Sequence, residues 1–151
     1  LPEKIETLRL PLGSETAELS VVRLPGISHI IVPAQVLTRA RAEELIRRWA
    51  EVLHADALGI LLLQEEELCF DPLVYVTQTD TAVWERGCGS GSAAIGAYLT
   101  KKHGAPQCVS IRQPGGAIAV TTRCAEDGAL SSLTISGTVI LGRSKKADVT
   151  L

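Results

Sequence analysis

A helix that is apolar all the way round has nowhere to sit but inside the molecule, and residues 91 to 102 read as such a helix. Ala93, Ala94, Ile95, Ala97, Tyr98 and Leu99 leave no polar stripe, so a surface position is excluded. Ser90 or Ser92 suits the N-cap; Lys101, Lys102 and His103 suit the carboxyl end of the dipole, and Gly104 with Pro106 ends the run. The small residues Ala93, Ala94, Gly96 and Ala97 let strands approach closely. The expected fold is α+β, a mixed β-sheet curled around this central buried helix.

The helix begins directly after Glu85-Arg86-Gly87-Cys88-Gly89-Ser90-Gly91. A cysteine at a helix N-terminus sits among N–H groups without intrahelical acceptors, where the macrodipole favours a negative charge, so the Cys88 thiol is expected to have a lowered pKa. The same N–H groups, left accessible by Gly89 and Gly91, suit a carboxylate or phosphate. The alternative is a structural cysteine buried in a tight strand-to-helix turn.

The rest of the chain supplies the sheet. Residues 5–11 and 17–24 alternate around Gly13-Ser14 as a hairpin, and Pro25-Gly26-Ile27-Ser28-His29-Ile30-Ile31-Val32-Pro33 reads as a turn and then a strand, with His29 ahead of the strand. From Thr38, an N-cap, apolar residues at three- and four-residue spacing (Ala42, Leu45, Ile46, Trp49, Ala50, Leu53) make an amphipathic surface helix to Val52. A buried strand at Ala57–Leu63 returns as Leu68–Thr79, where Pro72 suggests an edge or a bulge. Strands at Gln107–Gln113, Ala117–Thr122, Leu130–Ser136 and Thr138–Leu141 follow the buried helix, giving about eight in all.

Composition excludes more than it selects. With 151 residues, 46% of them hydrophobic, the chain suffices for one domain, and a net charge of −2 gives no reason to expect nucleic acid or a membrane surface as partner. No apolar run approaches the roughly 20 residues a membrane helix needs. Cys69, Cys88, Cys108 and Cys124 have neither zinc-site nor disulfide-framework spacing, which suggests a reducing cytoplasm and no metal; all but Cys88 read as packing residues in strands. The chain begins with Leu and contains no Met, so a piece of a longer protein is expected.

The loop Glu85-Arg86-Gly87-Cys88-Gly89-Ser90-Gly91 resembles the Glu-Arg-Gly and Cys-Gly-Thr-Gly of the diaminopimelate epimerase and proline racemase superfamily. Its compact spacing is closer to proline racemases and to histidine racemases of metallophore pathways than to diaminopimelate epimerases. Gly26 and His29 match that superfamily's Gly-Asn-Pro-His segment, with Ile27 and Ser28 in place of Asn and Pro, a departure that implies altered side-chain recognition. Pro114-Gly115-Gly116 and Ile135-Ser136-Gly137 extend the likeness over most of the chain, although only the cysteine loop is specific.

What the resemblance implies is the carboxyl-terminal half of a pyridoxal-independent amino-acid racemase or epimerase with a diaminopimelate-epimerase-like fold, using two cysteines and no cofactor. Cys88 would be one acid/base, the backbone of Gly89, Ser90 and Gly91 would hold the α-carboxylate, and Glu85 would take the α-ammonium. Arg86 and His29 would bind substrate; the alternatives are a plain Glu85–Arg86 surface ion pair and a hydrogen-bonded loop histidine. The partners would be a small amino-acid substrate and an amino-terminal domain carrying the second cysteine, to which residues 144–151 would cross; a homodimer is compatible with this. A non-catalytic amino-acid or carboxylate-binding module of the same fold is the competing reading.

Overall fold

The computed structural model describes residues 1–140 and 142. Among these residues nine strands form one mixed sheet with a helix on each face: β1 (Lys4–Leu12), β2 (Glu15–Leu24), β3 (Ile27–Pro33), α1 (Arg39–Leu53), β4 (Ala57–Gln64), β5 (Cys69–Val76), β6 (Thr81–Trp84), α2 (Gly89–His103), β7 (Cys108–Gln113), β8 (Gly116–Cys124) and β9 (Leu130–Ser136). The strand order is β1-β2-β3-β4-β5-β7-β8-β9, with β6 beside β5. This is the expected α+β class.

The first three strands are a meander whose turns have the required residues. Leu12 pairs with Glu15 across Gly13-Ser14, and Leu24 with Ile27 across Pro25-Gly26, where Gly26 takes φ +79°. α1 then carries the chain over to β4, which runs parallel to β3. Thr38 Oγ1 accepts from Arg41 N–H at 3.3 Å, and Ala42, Leu45, Ile46, Trp49, Ala50 and Leu53 are the buried stripe. Trp49 is fully buried and donates Nε1–H to Pro11 O at 2.9 Å, satisfying its one polar atom within the core.

α2 occupies the other face. Residues Gly91 to Ala97, Leu99 and Thr100 are all buried, and the helix touches β2 and β3 on one side and β8 and β9 on the other, so the sheet curls around it. Close approach needs its glycine: a Cβ on Gly96 would lie 2.3 Å from Val120 Cγ1 of β8. The Thr100 hydroxyl donates to Gly96 O at 2.8 Å and accepts from the Thr122 hydroxyl at 2.7 Å, so this polar crossing between helix and β8 is satisfied.

Three expectations are corrected. The segment Leu68–Thr79 is not one strand: β5 ends at Val76, a 3₁₀ turn at Thr77–Thr79 follows, and β6 folds back on β5 as a further strand. Pro72 lies at neither an edge nor a bulge; it sits where β5 exchanges its neighbour β6, which ends opposite Leu73, for β7, which pairs at Cys69. A proline is tolerated there because no strand on that side asks for its missing N–H. Thr138 to Ile140 form no strand, and the expected tail at 144–151 lies outside the described residues. Among the described residues no helix is long and apolar enough to cross a membrane.

Candidate active site

The loop before α2 is held from three directions. Glu85 N–H donates to Pro72 O of β5 at 2.9 Å; Gly115 N–H, in the β7–β8 turn, donates to Arg86 O at 2.6 Å. Gly115 is needed at that contact, since a Cβ would lie 2.7 Å from the same carbonyl oxygen. Gln113, the last residue of β7, accepts from Cys88 N–H through Oε1 and donates through Nε2 to Ser92 Oγ at 3.0 Å, and Ser92 Oγ–H in turn donates to Cys88 O at 2.9 Å. Gln113 therefore fixes both ends of the first helical turn. Nothing in the sequence links it to a loop 25 residues away beyond its place before Pro114-Gly115-Gly116.

Cys88 itself is the N-cap, the position expected for Ser90 or Ser92. Its backbone is extended (φ −126°, ψ 105°), and Sγ accepts from Gly91 N–H at 3.4 Å, so sulfur takes the part usually played by a hydroxyl or carboxylate oxygen. Ser90 and Ser92 fall within the first turn instead. Because Gly91 N–H is taken by sulfur and Ser92 N–H closes the helix on Cys88 O, the N–H groups of Gly89 and Ser90 are, among the described residues, the first-turn donors open to an anion. Both loop glycines also have packing reasons: a Cβ would meet Ile135 Cδ1 at 3.2 Å from Gly89, and Leu61 and Phe70 at 3.1 Å from Gly91.

The thiol is buried, 4% exposed, and its pKa moves opposite to the expected direction. Burial pushes it up, and the hydrogen bond and charge of Glu85 add to that; together they outweigh the Ser90 hydroxyl and the Gly91 N–H, which pull it down. Desolvation of the charged form beats the helix end because the sulfur is enclosed by the same Leu61 and Phe70 side chains that crowd Gly91. Cys88 thus rests as a thiol.

Glu85 is half-buried and Arg86 is exposed, and among the described residues neither forms an ion pair, which removes the plain surface-pair alternative. Arg86 lines a cavity of about 580 Å³ together with Gly87, Gln113, Ile118, Ile135 and Val139, and Cys88 is not among its lining residues. Ile135 and Val139 are exposed there, 42% and 83%. A larger cavity of about 930 Å³ lies at the opposite end of α2, beside Tyr98, Lys102 and Glu65, away from this loop.

His29 is not a loop residue. It is the third residue of β3, fully buried, and reaches the loop only through Ser90, with Nε2 at 3.0 Å from Ser90 Oγ; Ser90 Oγ is in turn 3.5 Å from Cys88 Sγ. Its Nδ1 has no hydrogen-bond partner among the described residues and faces Gly59, its neighbour across β3 and β4. Burial pushes its pKa down from 6.5 to about 4, so the ring is neutral at pH 7. Between pH 6.5 and about 4 the unfolded chain binds a proton at this residue and the folded one does not, so stability rises with pH through that window and is lost on acidification. The expected loss from pH 8 to pH 5 is about 2 kcal/mol, read from urea midpoints, and His29→Gln should flatten that slope.

The other cysteines are apart from this site, all free on strands; Cys69 and Cys124 are half-buried, whereas Cys108 is exposed on β7 rather than packed. Among the described residues no group of three or more His, Cys, Asp or Glu side chains is placed to hold a metal ion.

Comparison with known proteins adds a family to this geometry. Residues 1–146 match the family model described as the histidine racemase CntK N-terminal domain. A histidine racemase of Staphylococcus aureus is 31% identical over 110 residues, covering 70% of this chain and 40% of that protein. One of Fusobacterium nucleatum is 30% identical over 102 residues, covering 66% of this chain and 38% of that protein. The chain spans about two fifths of the length of these relatives. Where the loop resemblance implies a carboxyl-terminal half, the model that matches is that of an amino-terminal domain. With the cysteine loop and every strand and helix described above inside that match, the chain belongs to the histidine racemase CntK N-terminal domain family.

Proposed function

We propose that this chain is one domain of a pyridoxal-independent amino-acid racemase acting on histidine, in which Cys88 is one of two acid/base thiols. The carrying observation is the Cys88 thiol at the N-cap of α2, beside Glu85 and next to the open N–H groups of Gly89 and Ser90. The α-carboxylate would sit on those two donors and the α-ammonium on Glu85, which puts the α-carbon in front of Cys88. A base on the opposite face breaks the Cα–H bond, and Cys88 delivers its S–H proton to the carbanion from this side, leaving a thiolate; the reverse direction exchanges the two roles. A buried thiol with a raised pKa suits the proton donor. The substrate ammonium would also neutralise Glu85, one of the groups holding that pKa up, so binding itself would ready the thiol for transfer.

The opposing base would come from the remainder of the protein. Since the matching family describes an amino-terminal domain, the second cysteine is proposed in a domain that follows, seated against exposed Ile135 and Val139 beside the loop. The names of the relatives support histidine, and Ile27 in the place of the superfamily's substrate-contacting Asn speaks against diaminopimelate. The test is the full-length protein with L-histidine in deuterium oxide: deuterium should enter the α-position as D-histidine forms, without added pyridoxal phosphate. The binding-module reading is favoured by the thiol's burial and its absence from the cavity lining. Histidine that binds but neither exchanges nor inverts would select it over the racemase.

A further inference from the structure

Among the described residues, His29 is a fully buried imidazole whose Nδ1 meets no partner and whose Nε2 meets only the Ser90 hydroxyl. Of the two neutral tautomers, one buries an N–H against Gly59 with no acceptor, while the other places its N–H on Ser90 Oγ at 3.0 Å. The surroundings satisfy the second. Having accepted from Nε2–H, the Ser90 oxygen keeps its own proton for its other neighbour, Cys88 Sγ, 3.5 Å away.

We propose that His29 is a positioning residue that works through Ser90: by donating to the Ser90 oxygen it aims the hydroxyl proton at Cys88 Sγ, giving the thiolate formed on proton delivery a second donor beside Gly91 N–H. The role rests on the racemase reading for its purpose, since a thiolate at Cys88 is what that reaction leaves behind. A thiol needs no such donor; a buried thiolate does, because without one the charge is uncompensated. The arrangement depends on β4, where Gly59 leaves the room the ring occupies. It also explains a neutral histidine in the core: an imidazolium would donate from both nitrogens and could find only one acceptor.

Among the described residues the other groups around the cysteine loop are few. Glu85, ahead of the loop, opposes the thiolate; Arg86 next to it is exposed; Leu61 of β4, Phe70 of β5 and Ile135 of β9 carry no charge, and Gln113 of β7 is neutral. The Ser90 hydroxyl is therefore the side-chain donor available to oppose Glu85.

The pH dependence of Cys88 alkylation by iodoacetamide in the full-length protein, followed by mass spectrometry of its own peptide, tests this. Ser90→Ala should move the midpoint upward by about one pH unit and Ser90→Thr should leave it near the native value. His29→Leu should move it the same way, and that shift should vanish in the Ser90→Ala background, because the two act in series. A native midpoint in Ser90→Ala, or a His29→Leu shift that persists undiminished in the double variant, overturns the proposal; if His29→Leu fails to fold, Ser90→Ala and Ser90→Thr decide it. A shifted midpoint in a protein that never exchanges histidine would keep the relay and sink the racemase reading, and histidine exchange with an unshifted midpoint would do the reverse.

Discussion

Cys88→Ser in the full-length protein is expected to remove inversion of histidine by a factor of about 10² to 10⁴, the usual contribution of a placed general acid or base. Serine is a better N-cap than cysteine, so α2 should remain capped and the melting temperature should stay close to native; a loss of activity would then report chemistry and not unfolding. The hydroxyl is too weak an acid to protonate the carbanion at this site and, once deprotonated, too poorly stabilised to form. The two enantiomers should respond differently. The one whose α-hydrogen faces the opposing base can still lose and regain a proton on that face, so slow deuterium exchange with retained configuration is expected for it, while its mirror image should not exchange. Circular dichroism for inversion and proton NMR for exchange separate these outcomes; inversion at the native rate would remove Cys88 from the mechanism.

Gly59→Ala is expected to be the most damaging single methyl group in the domain. Its Cβ would lie 2.1 Å from His29 Nδ1 and 2.6 Å from Cε1, and β3 is fastened to β4 in parallel register on either side of that pair, so neither strand can step aside. Overpacking of this kind costs about 3 kcal/mol or more, a large part of the roughly 5 to 15 kcal/mol that holds a domain together. The ring would have to leave its place, and the contact with Ser90 would go with it. Combining Gly59→Ala with His29→Ala should recover part of the lost melting temperature, because the clash is with the imidazole and not with backbone. A singly substituted Gly59→Ala protein with native stability would show that the ring has another place to go.

The central helix was legible from its end signals and its apolar residues all the way round, and the hairpins and the buried stripe of α1 from local periodicity: Ala42 through Leu53 repeat at helical spacing, and Gly13-Ser14 and Pro25-Gly26 punctuate alternating runs. β6 was not legible, since Thr81 to Trp84 is too short to show a period and gains its place from partners far along the chain: Trp84 donates to Glu43 and lies under Arg39, 4.2 Å from its ring centre. The site divides in the same way. Cys88 and its glycines announce themselves in one loop, but Gln113 and Gly59 matter only through contacts that folding creates, and the direction of the Cys88 pKa depends on Leu61 and Phe70 closing around the sulfur. A lone glycine inside the apolar run of β4 was the one available hint of a close approach.

The narrow join in the sheet has its own consequence. β5 and β7 meet at one register pair, Cys69 with Arg112, helped by Arg112 N–H on Leu68 O at 2.8 Å, so the sheet is two leaves on a short spine. The leaf of β7, β8 and β9 supplies Gln113 and Ile135 to the cysteine loop, while the other leaf supplies His29, Leu61 and Phe70. With so little ladder between them, the alignment of the two leaves is carried by α2, which is gripped by both. The helix is therefore a dowel as much as a core, and a change in any of its small buried residues would be felt as a change in the angle at which the two sides of the thiol face each other.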